Sequence, residues 1–412
     1  MTTRFFSFPS TVRRMHEGAL GSFVDSFAQE LHELQFSLDS ARAQILCFAD
    51  FSRWMDRHNL NVEDLDVGTV DRHLKDQSRR GGLRPGHRVA LLRVLDLLRR
   101  GGITKERTGE PMLNSRQRVE AEFSRFLSVE RGLAPATLLN YLPFISCLLA
   151  ERFGRGPVRL DRLCAPDITG FVRRHAHDFA PGRVKLMLTA LRSFLRHLQH
   201  RGDIGADLAT CVPCVPRWSR TEVPKFLQPG ETEQVLKHCD RRTASGMRDY
   251  AILLLLARLG LRAGEVVSLT LDDIDWQAGQ LTLHVKGRRS AQVPLIAEVG
   301  EALAHYVRHA RPRCTTRRVF VREHAPRVGF ANSSAICCIV ERALARAGVN
   351  SIRKGAHLFR HTLATEMLSR GASLSEIGRL LRHRHPDTTL IYAKVDLRAL
   401  RTLAIVWPAG AP

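Results

Sequence analysis

"LLRHRHPDTTLIYAKV", residues 380–395, sets His383, Arg384 and His385 just ahead of Tyr392, one of only four tyrosines in the chain. Two readings of that tyrosine are open. With Leu390 and Ile391 as neighbours it can pack in a core, its hydroxyl hydrogen-bonded. Alternatively it is a nucleophile, and the cations beside it favour its ionised form. Asp387 is placed to N-cap a short helix carrying Tyr392. In "SLSEIGRLLRH", residues 373–383, Ser373 and Glu376 have the spacing of a capping box.

Upstream, three more stretches carry cations that packing does not ask for. In "GAHLFRHTLATEML", residues 355–368, His357 and Arg360 share one helical face. His361, at i+4 from His357, also allows a two-histidine metal face, but Arg360 would repel a cation there and no glutamate follows His357. An arginine between two imidazoles suits an anion better, because its planar fork matches phosphate oxygens. Arg262, in "GLRAGEVVSL" (260–269), follows a buried helix and must be paired or bind an anion, since burying it alone is costly. Glu265 is the available partner. Lys286 stands at a hairpin tip, where a lysine on its own reads as solvated decoration. Taken together these groups make an inventory for phosphoryl transfer without a metal, with guanidinium groups to hold the phosphate, a phenol to attack and a lysine to supply a proton.

Bulk composition agrees. Lys and Arg outnumber Asp and Glu by 63 to 41, a net charge of +22 in 412 residues. Such a field attracts a polyanion, and nucleic acid is the commonest large one. A membrane is excluded as a spanned medium, since the longest apolar run, Ala251–Ala257, is far short of the ~20 residues a bilayer needs. "MTTRFFSFPSTVRR" (1–14) lacks the apolar stretch of a signal peptide. Nine scattered cysteines fit a reducing compartment, so a cytoplasmic, nucleoid-associated location is expected. Cys211 and Cys214 form one C-x-x-C with no second pair to complete a zinc site. Cys337 and Cys338 read as core.

Three regions emerge. Residues 1–105 and 115–207 follow one helical plan, each closing on a long amphipathic helix. Its stripe is Val89, Leu92, Leu95 and Leu98 in the first, and Leu188, Leu191, Leu195 and Leu198 in the second. Leu65-Asp66 and Pro85-Gly86 of the first recur at a near-constant interval as Leu160-Asp161 and Pro181-Gly182. Residues 208–228, with Pro213, Pro216 and Pro224, read as a linker. Beyond it, "MRDYAILLLLARLG" (247–260) reads as a buried helix stopped by Gly260. "GQLTLHV" (279–285) and "AQVPLI" (291–296) read as a hairpin turned by "KGRRS". The fold class is therefore mainly α, with a small antiparallel hairpin or sheet in an α+β third region.

Residues 229–395 resemble the catalytic domain of the tyrosine recombinases, the phage integrase family. The resemblance lies in "LGLRAGEVVSLTLDDID", "VKGRRSAQVPL", "HLFRHTLATEML" and "LLRHRHPDTTLIY", in this order. It implies that Arg262 and Arg360 clamp the scissile phosphate of double-stranded DNA, and that His357 and His383 support it. It further implies that Lys286 is general acid for the 5′-hydroxyl, Tyr392 the nucleophile that forms a 3′-phosphotyrosine, and Glu265 the acid that steadies Arg262. No metal or other cofactor is implied. Residues 115–207 are similar to the family's helical core-binding domain, which with the catalytic domain forms a clamp on DNA. Residues 1–105 resemble an extra copy of that module. Residues 396–412, with Leu397, Leu400, Leu403 and Trp407, are expected to dock on a neighbouring protomer of a homo-tetrameric synaptic complex. One position departs from the pattern: the family usually has glycine before the second histidine, where this chain has Arg382. A DNA-binding accessory protein acting with partner recombinases is the alternative, and a metal-dependent nuclease a third reading.

Overall fold

A computed structural model describes residues 1–104, 113–154, 156–214, 223–285 and 289–395. It groups the chain into two compact units, one of residues 1–105 with 223–412 and the other of residues 106–222.

In the first unit the N-terminal segment holds α1 (Pro9–Met15), α2 (Val24–Glu33), α3 (Leu38–Arg57), α4 (Val67–Arg79) and α5 (His87–Arg100). Ser37 and Asp66 cap α3 and α4, each side chain accepting a main-chain N–H of the first turn. Such caps satisfy donors that a helix start otherwise leaves orphaned. The core packs Phe27, Phe48, Phe51 and Met55 against Leu91, Val94, Leu95 and Leu98. The expected stripe on α5 holds in its second half, Leu95 and Leu98, but not in its first: Val89 is 60% exposed and Leu92 half-buried, because the buried face of a 3.6-residue period runs through Leu91, Val94, Leu95 and Leu98.

The second unit holds α6 (Ser115–Arg125), α7 (Pro135–Phe153), α8 (Ala165–Ala176) and α9 (Pro181–Arg201). Here Leu188, Leu191, Leu195 and Leu198 are all buried, as their spacing predicts. The order of elements repeats that of the N-terminal segment. A long helix (α3, α7) leads to a short 3-10 turn (Val62–Asp64, Leu160–Arg162), a middle helix (α4, α8) and a closing helix (α5, α9). The Pro-Gly pairs differ in detail, for Gly86 caps α5 with φ +93° whereas Pro181 is the first residue of α9. Leu208, Ala209 and Val212, assigned to a linker from their prolines, pack in this unit's core. Leu227 at the far end packs in the other.

The rest of the first unit contains α10 (Glu231–Lys237), α11 (Ala244–Leu259), α12 (Ala263–Ser268), β1 (Ile274–Asp275), β2 (Gln280–Val285), β3 (Arg289–Pro294), α13 (Ala297–His309), α14 (Ser334–Arg346), α15 (His357–Ser369) and α16 (Leu374–Leu380). The strands form one antiparallel sheet in the order β1-β2-β3, with Val285 opposite Arg289. Pairing thus begins two residues earlier on β3 than the "AQVPLI" pattern indicates. The two-residue strand β1 carries too little pattern to be visible in the sequence. Helix α11 is buried nearly all round, Ile252 to Leu256 being fully enclosed, and it anchors a core with α13, α14 and the sheet. Cys338 is exposed and Cys337 half-buried, contrary to their reading as core. On α14 the buried stripe is Ile336, Ile339, Val340, Ala343 and Leu344, and the cysteines fall beside it. No helix among the described residues is long and apolar enough to cross a membrane.

The enclosure of α11 gives a stability test. Leu254→Ala is expected to cost about 2–5 kcal/mol through lost transfer energy and a residual cavity. Ile352→Ala, on an exposed residue of the same unit, is expected to cost less than about 0.5 kcal/mol. Urea unfolding of the two variants beside wild type measures both.

Candidate functional site

The site begins where α11 ends. Gly260 stops the helix with φ +56°. A side chain there would be strained and would collide with Leu381 and Leu363, its Cβ lying 2.8 Å and 3.1 Å from their methyl carbons. Two residues on, Arg262 starts α12. Glu265 closes that helix start, its carboxylate accepting the Arg262 main-chain N–H at 2.9 Å and the Arg262 guanidinium at 2.8 Å. The carboxylate is 5% exposed and the guanidinium 34%. The acid is therefore sheltered while part of the cation faces solvent. Burial works against an ionised Glu265, but the Arg262 N–H and the charges of Arg382 and Arg262 outweigh it and hold the carboxyl below its ordinary range.

Helix α15 supplies the next groups. Arg360 is 4% exposed. Its guanidinium donates to the main-chain oxygens of Gly260 and Leu381, the residues that end α11 and α16. Carbonyl oxygens at helix C-termini carry the negative end of the helix dipole and lack intrahelical partners, so they suit a buried cation. Burial, then the charges of Arg262 and Arg382, lower Arg360 to about 10, which leaves it charged at neutral pH. His357 opens α15 with an exposed edge. The protein packed behind it and the charges of Arg360 and Arg262 keep it below the usual histidine range.

Helix α16 begins with the expected capping box of Ser373 and Glu376 and ends in a Schellman motif. The Arg382 N–H bonds to Arg379 O at 3.0 Å and the His383 N–H to Gly378 O at 2.9 Å. This motif needs a left-handed residue, usually glycine, just past the helix; here Arg382 takes it, with φ +53°. Its side chain reaches Glu265 at 3.2 Å. His383 follows directly, its Nδ1 paired with Thr389 Oγ1 at 2.8 Å. Asp387 lies inside a 3-10 turn, Pro386–Thr388, rather than capping the element that holds the tyrosine. The main chain of Thr389 serves there instead, accepting the Tyr392 N–H.

Tyr392 sits on a second 3-10 turn, Leu390–Val395. It is 1% exposed, in a small cluster with Ala364, Leu368, Ile377 and Leu381. Its ring lies parallel to that of His383, centroids 6.5 Å apart, and its hydroxyl meets His361 Nδ1 at 3.0 Å. Both expectations for this residue are thus partly met, for it is packed and it stands among cations. The expected stabilisation of the phenolate does not hold in this conformation. Burial raises the phenol to about 12 against the opposing pull of Arg360. His361 and His383 are each depressed to about 4, by burial first and then by nearby cationic groups.

Arg262, Glu265, His357, Arg360, His383 and Tyr392 therefore meet in one place. Lys286 and residues 396–412 lie outside the described residues. His361, Thr389 and Arg382 join the cluster without having been chosen as site residues. His361 had a signal in its i+4 spacing from His357, and Arg382 in standing where the family usually has glycine. The His361 Nδ1 is engaged by the tyrosine rather than left for a metal. Among the described residues, the cluster with metal-ligand geometry is Cys147, Glu151 and His175 in the other unit, where Arg174 also pairs with Glu151 at 2.7 Å.

Such an array can bind a phosphodiester through guanidinium groups and present a hydroxyl to it. The comparisons agree. Residues 225–398 match the phage integrase family. The chain is 43% identical over 399 residues to an integrase/recombinase of Sinorhizobium fredii, covering 97% of both. It is 30% identical to the tyrosine recombinase XerD of Listeria innocua, over 68% of this chain and 95% of that one. The fold is similar to that of the XerH site-specific recombinase in a post-cleavage complex with its palindromic difH substrate. That match has a TM-score of 0.55 and 17% identity, over 73% of this chain and 99% of the other.

The neutral imidazoles predict an acid-sensitive fold. Between about pH 6.5 and 4 the unfolded chain binds protons at these histidines and the folded chain does not, so stability falls as the pH falls through that window. The melting temperature of the DNA-free protein is expected to drop steeply from pH 6.5 to 4, and less steeply in His361→Gln. An identical slope in the variant contradicts the assignment.

Proposed function

Since the chain belongs to the phage integrase family, we propose that it is a site-specific tyrosine recombinase, cutting and rejoining DNA through a covalent link to Tyr392. One observation carries the assignment of residues. Arg262, Arg360, His357 and His383, drawn from three separate helix boundaries, lie in one cluster in which Arg360 and His383 adjoin the tyrosine, and their cationic excess has one buried carboxylate, Glu265, to balance it.

In the reaction the Tyr392 oxygen attacks the scissile phosphorus and the bond from phosphorus to the 5′-oxygen breaks. Lys286 gives that oxygen a proton. Arg262, which keeps solvent exposure, approaches a non-bridging phosphate oxygen. Arg360, rigidly held, fixes the field in which charge develops on the phosphate. His357 and His383, neutral at pH 7, add donors and accept the phenolic proton. The reverse attack, by a 5′-hydroxyl of a second duplex, re-forms a phosphodiester and frees the phenol. The number of phosphoester bonds is conserved, so no ATP is needed, and the guanidinium groups take the charge-stabilising place a metal would otherwise fill.

Protonated and enclosed as it stands, Tyr392 must leave its apolar seat to reach a phosphate. Its attachment suits that movement, being a short 3-10 turn in a satellite cluster separate from the main core. Double-stranded DNA at specific sites is the partner, gripped by residues 115–207 as core-binding domain and residues 229–395 as catalytic domain. Residues 1–105, with their repeated helical order, add a further contact to DNA or to a partner recombinase. A homo-tetrameric synapse joined by residues 396–412, serving integration or transposition of a mobile element in the nucleoid, completes the proposal.

Incubation with a nicked suicide duplex in EDTA is expected to trap a covalent protein–DNA adduct, and Tyr392→Phe to abolish it. An adduct that persists in that variant sinks the assignment, and loss of cleavage on chelation favours a metal nuclease. The two arginines should also differ. Arg262→Ala is expected to slow cleavage about 10²–10³-fold with little change in melting temperature. Arg360→Ala, which unties two helix ends, should lower both.

A further inference from the structure

We propose that Arg382 is a positioning residue of the strand-cleavage site, which orders Arg262 by holding the far side of Glu265. The inference rests on the reading of Arg262 as a phosphate ligand and adds to it a residue that does not touch the substrate.

Three observations support it. The backbone at Arg382 favours glycine. Its φ of +53° is the left-handed conformation that closes the Schellman motif of α16, and a Cβ is disfavoured there. An arginine in that position is held by its side chain, and the side chain has a specific use. Its Nη2 donates to Glu265 Oε2 at 3.2 Å and its Nη1 to Leu380 O at 3.0 Å.

Glu265 is also completed by it. The carboxylate accepts Arg262 Nη1 on Oε1, and the Arg262 N–H together with Arg382 Nη2 on Oε2. With both oxygens occupied, the carboxylate cannot rotate away from Arg262. The charged groups around it come from each neighbouring element: Arg262 at the start of α12, Arg382 after α16, and His357 and Arg360 on α15. Without Arg382 the carboxylate, on a side chain 5% exposed, keeps its two Arg262 donors but loses the third, which anchors Oε2 from the α16 side.

The third observation is that the guanidinium is enclosed. Its side chain is 10% exposed, and its Nε is buried without a hydrogen-bond partner. A group so enclosed cannot reach DNA from where it stands, so its effect passes through Glu265 and Arg262. It also couples the helix end that presents His383 to the helix start that presents Arg262.

Arg382→Gly is the informative variant, because glycine relieves the backbone and keeps the helix stop. The full-length protein is assayed for DNA affinity and for single-turnover cleavage of a nicked suicide duplex. Affinity is expected to stay within about 2-fold, the melting temperature to hold or rise, and the cleavage rate to fall about 10-fold or more. Arg382→Lys should recover part of the rate. Ethylguanidinium ion should partly restore Arg382→Gly, against sodium chloride at equal ionic strength as control. Wild-type cleavage by Arg382→Gly overturns the proposal. So does a slow rate that neither the lysine nor the added guanidinium improves. If Tyr392→Phe is inactive while Arg382→Gly is unimpaired, only this inference fails; if Tyr392→Phe still forms the adduct, the underlying reading fails.

Discussion

A single buried guanidinium ties the site together. Arg360 bonds the last carbonyl of α11 and the carbonyl that ends α16. Each of those helix ends launches another functional group, Arg262 on one side and His383 on the other. Their separation is thereby set by the span of one planar, rigid group. A lysine could not do this, for it is a point charge on a flexible stem with no fork to reach two carbonyls at once. The close approach also explains Gly260, because a side chain there would push α11 away from Leu381 and Leu363.

The electrostatics follow from that arrangement. Arg262, Arg360 and Arg382 crowd around Glu265, and one carboxylate does not neutralise them. In water these charges would be screened; in a half-buried pocket they are felt by every titratable neighbour. His357, His361 and His383 stay neutral, through burial first and these charges second. The remaining positive potential is available to a phosphate, whose arrival would relieve the repulsion among the guanidinium groups.

Tyr392 is held by a different kind of contact. The main core of this region runs through α11, α13 and α14, while the tyrosine belongs to a small separate cluster. Such satellite clusters open at lower cost than the core they adjoin. One hydroxyl contact to His361 and a 3-10 turn secure the ring. The tyrosine is thus protonated and enclosed by contacts separate from those that hold Arg262 and Arg360.

The sequence alone determined a good deal. Helix α11 and its stop, the capping box of Ser373 and Glu376, the hairpin, and the repeated helical order were legible because each depends on local periodicity, capping or turn chemistry. The identities of Arg262, Glu265, His357, Arg360, His383 and Tyr392 were legible too, as motifs whose residue types suit one chemistry. Burial was read less well. The first half of the α5 stripe, Val89 and Leu92, was misplaced, and Cys337 and Cys338 were assigned to a core that passes beside them, since which face is covered depends on partners far away in the chain. Tertiary structure alone decided that Arg360 bonds carbonyls, that Tyr392 meets His361, and that Arg382 occupies a glycine conformation to reach Glu265. These are pairings between residues with no fixed sequence separation, and the burial that sets their protonation comes into being only when the helices pack.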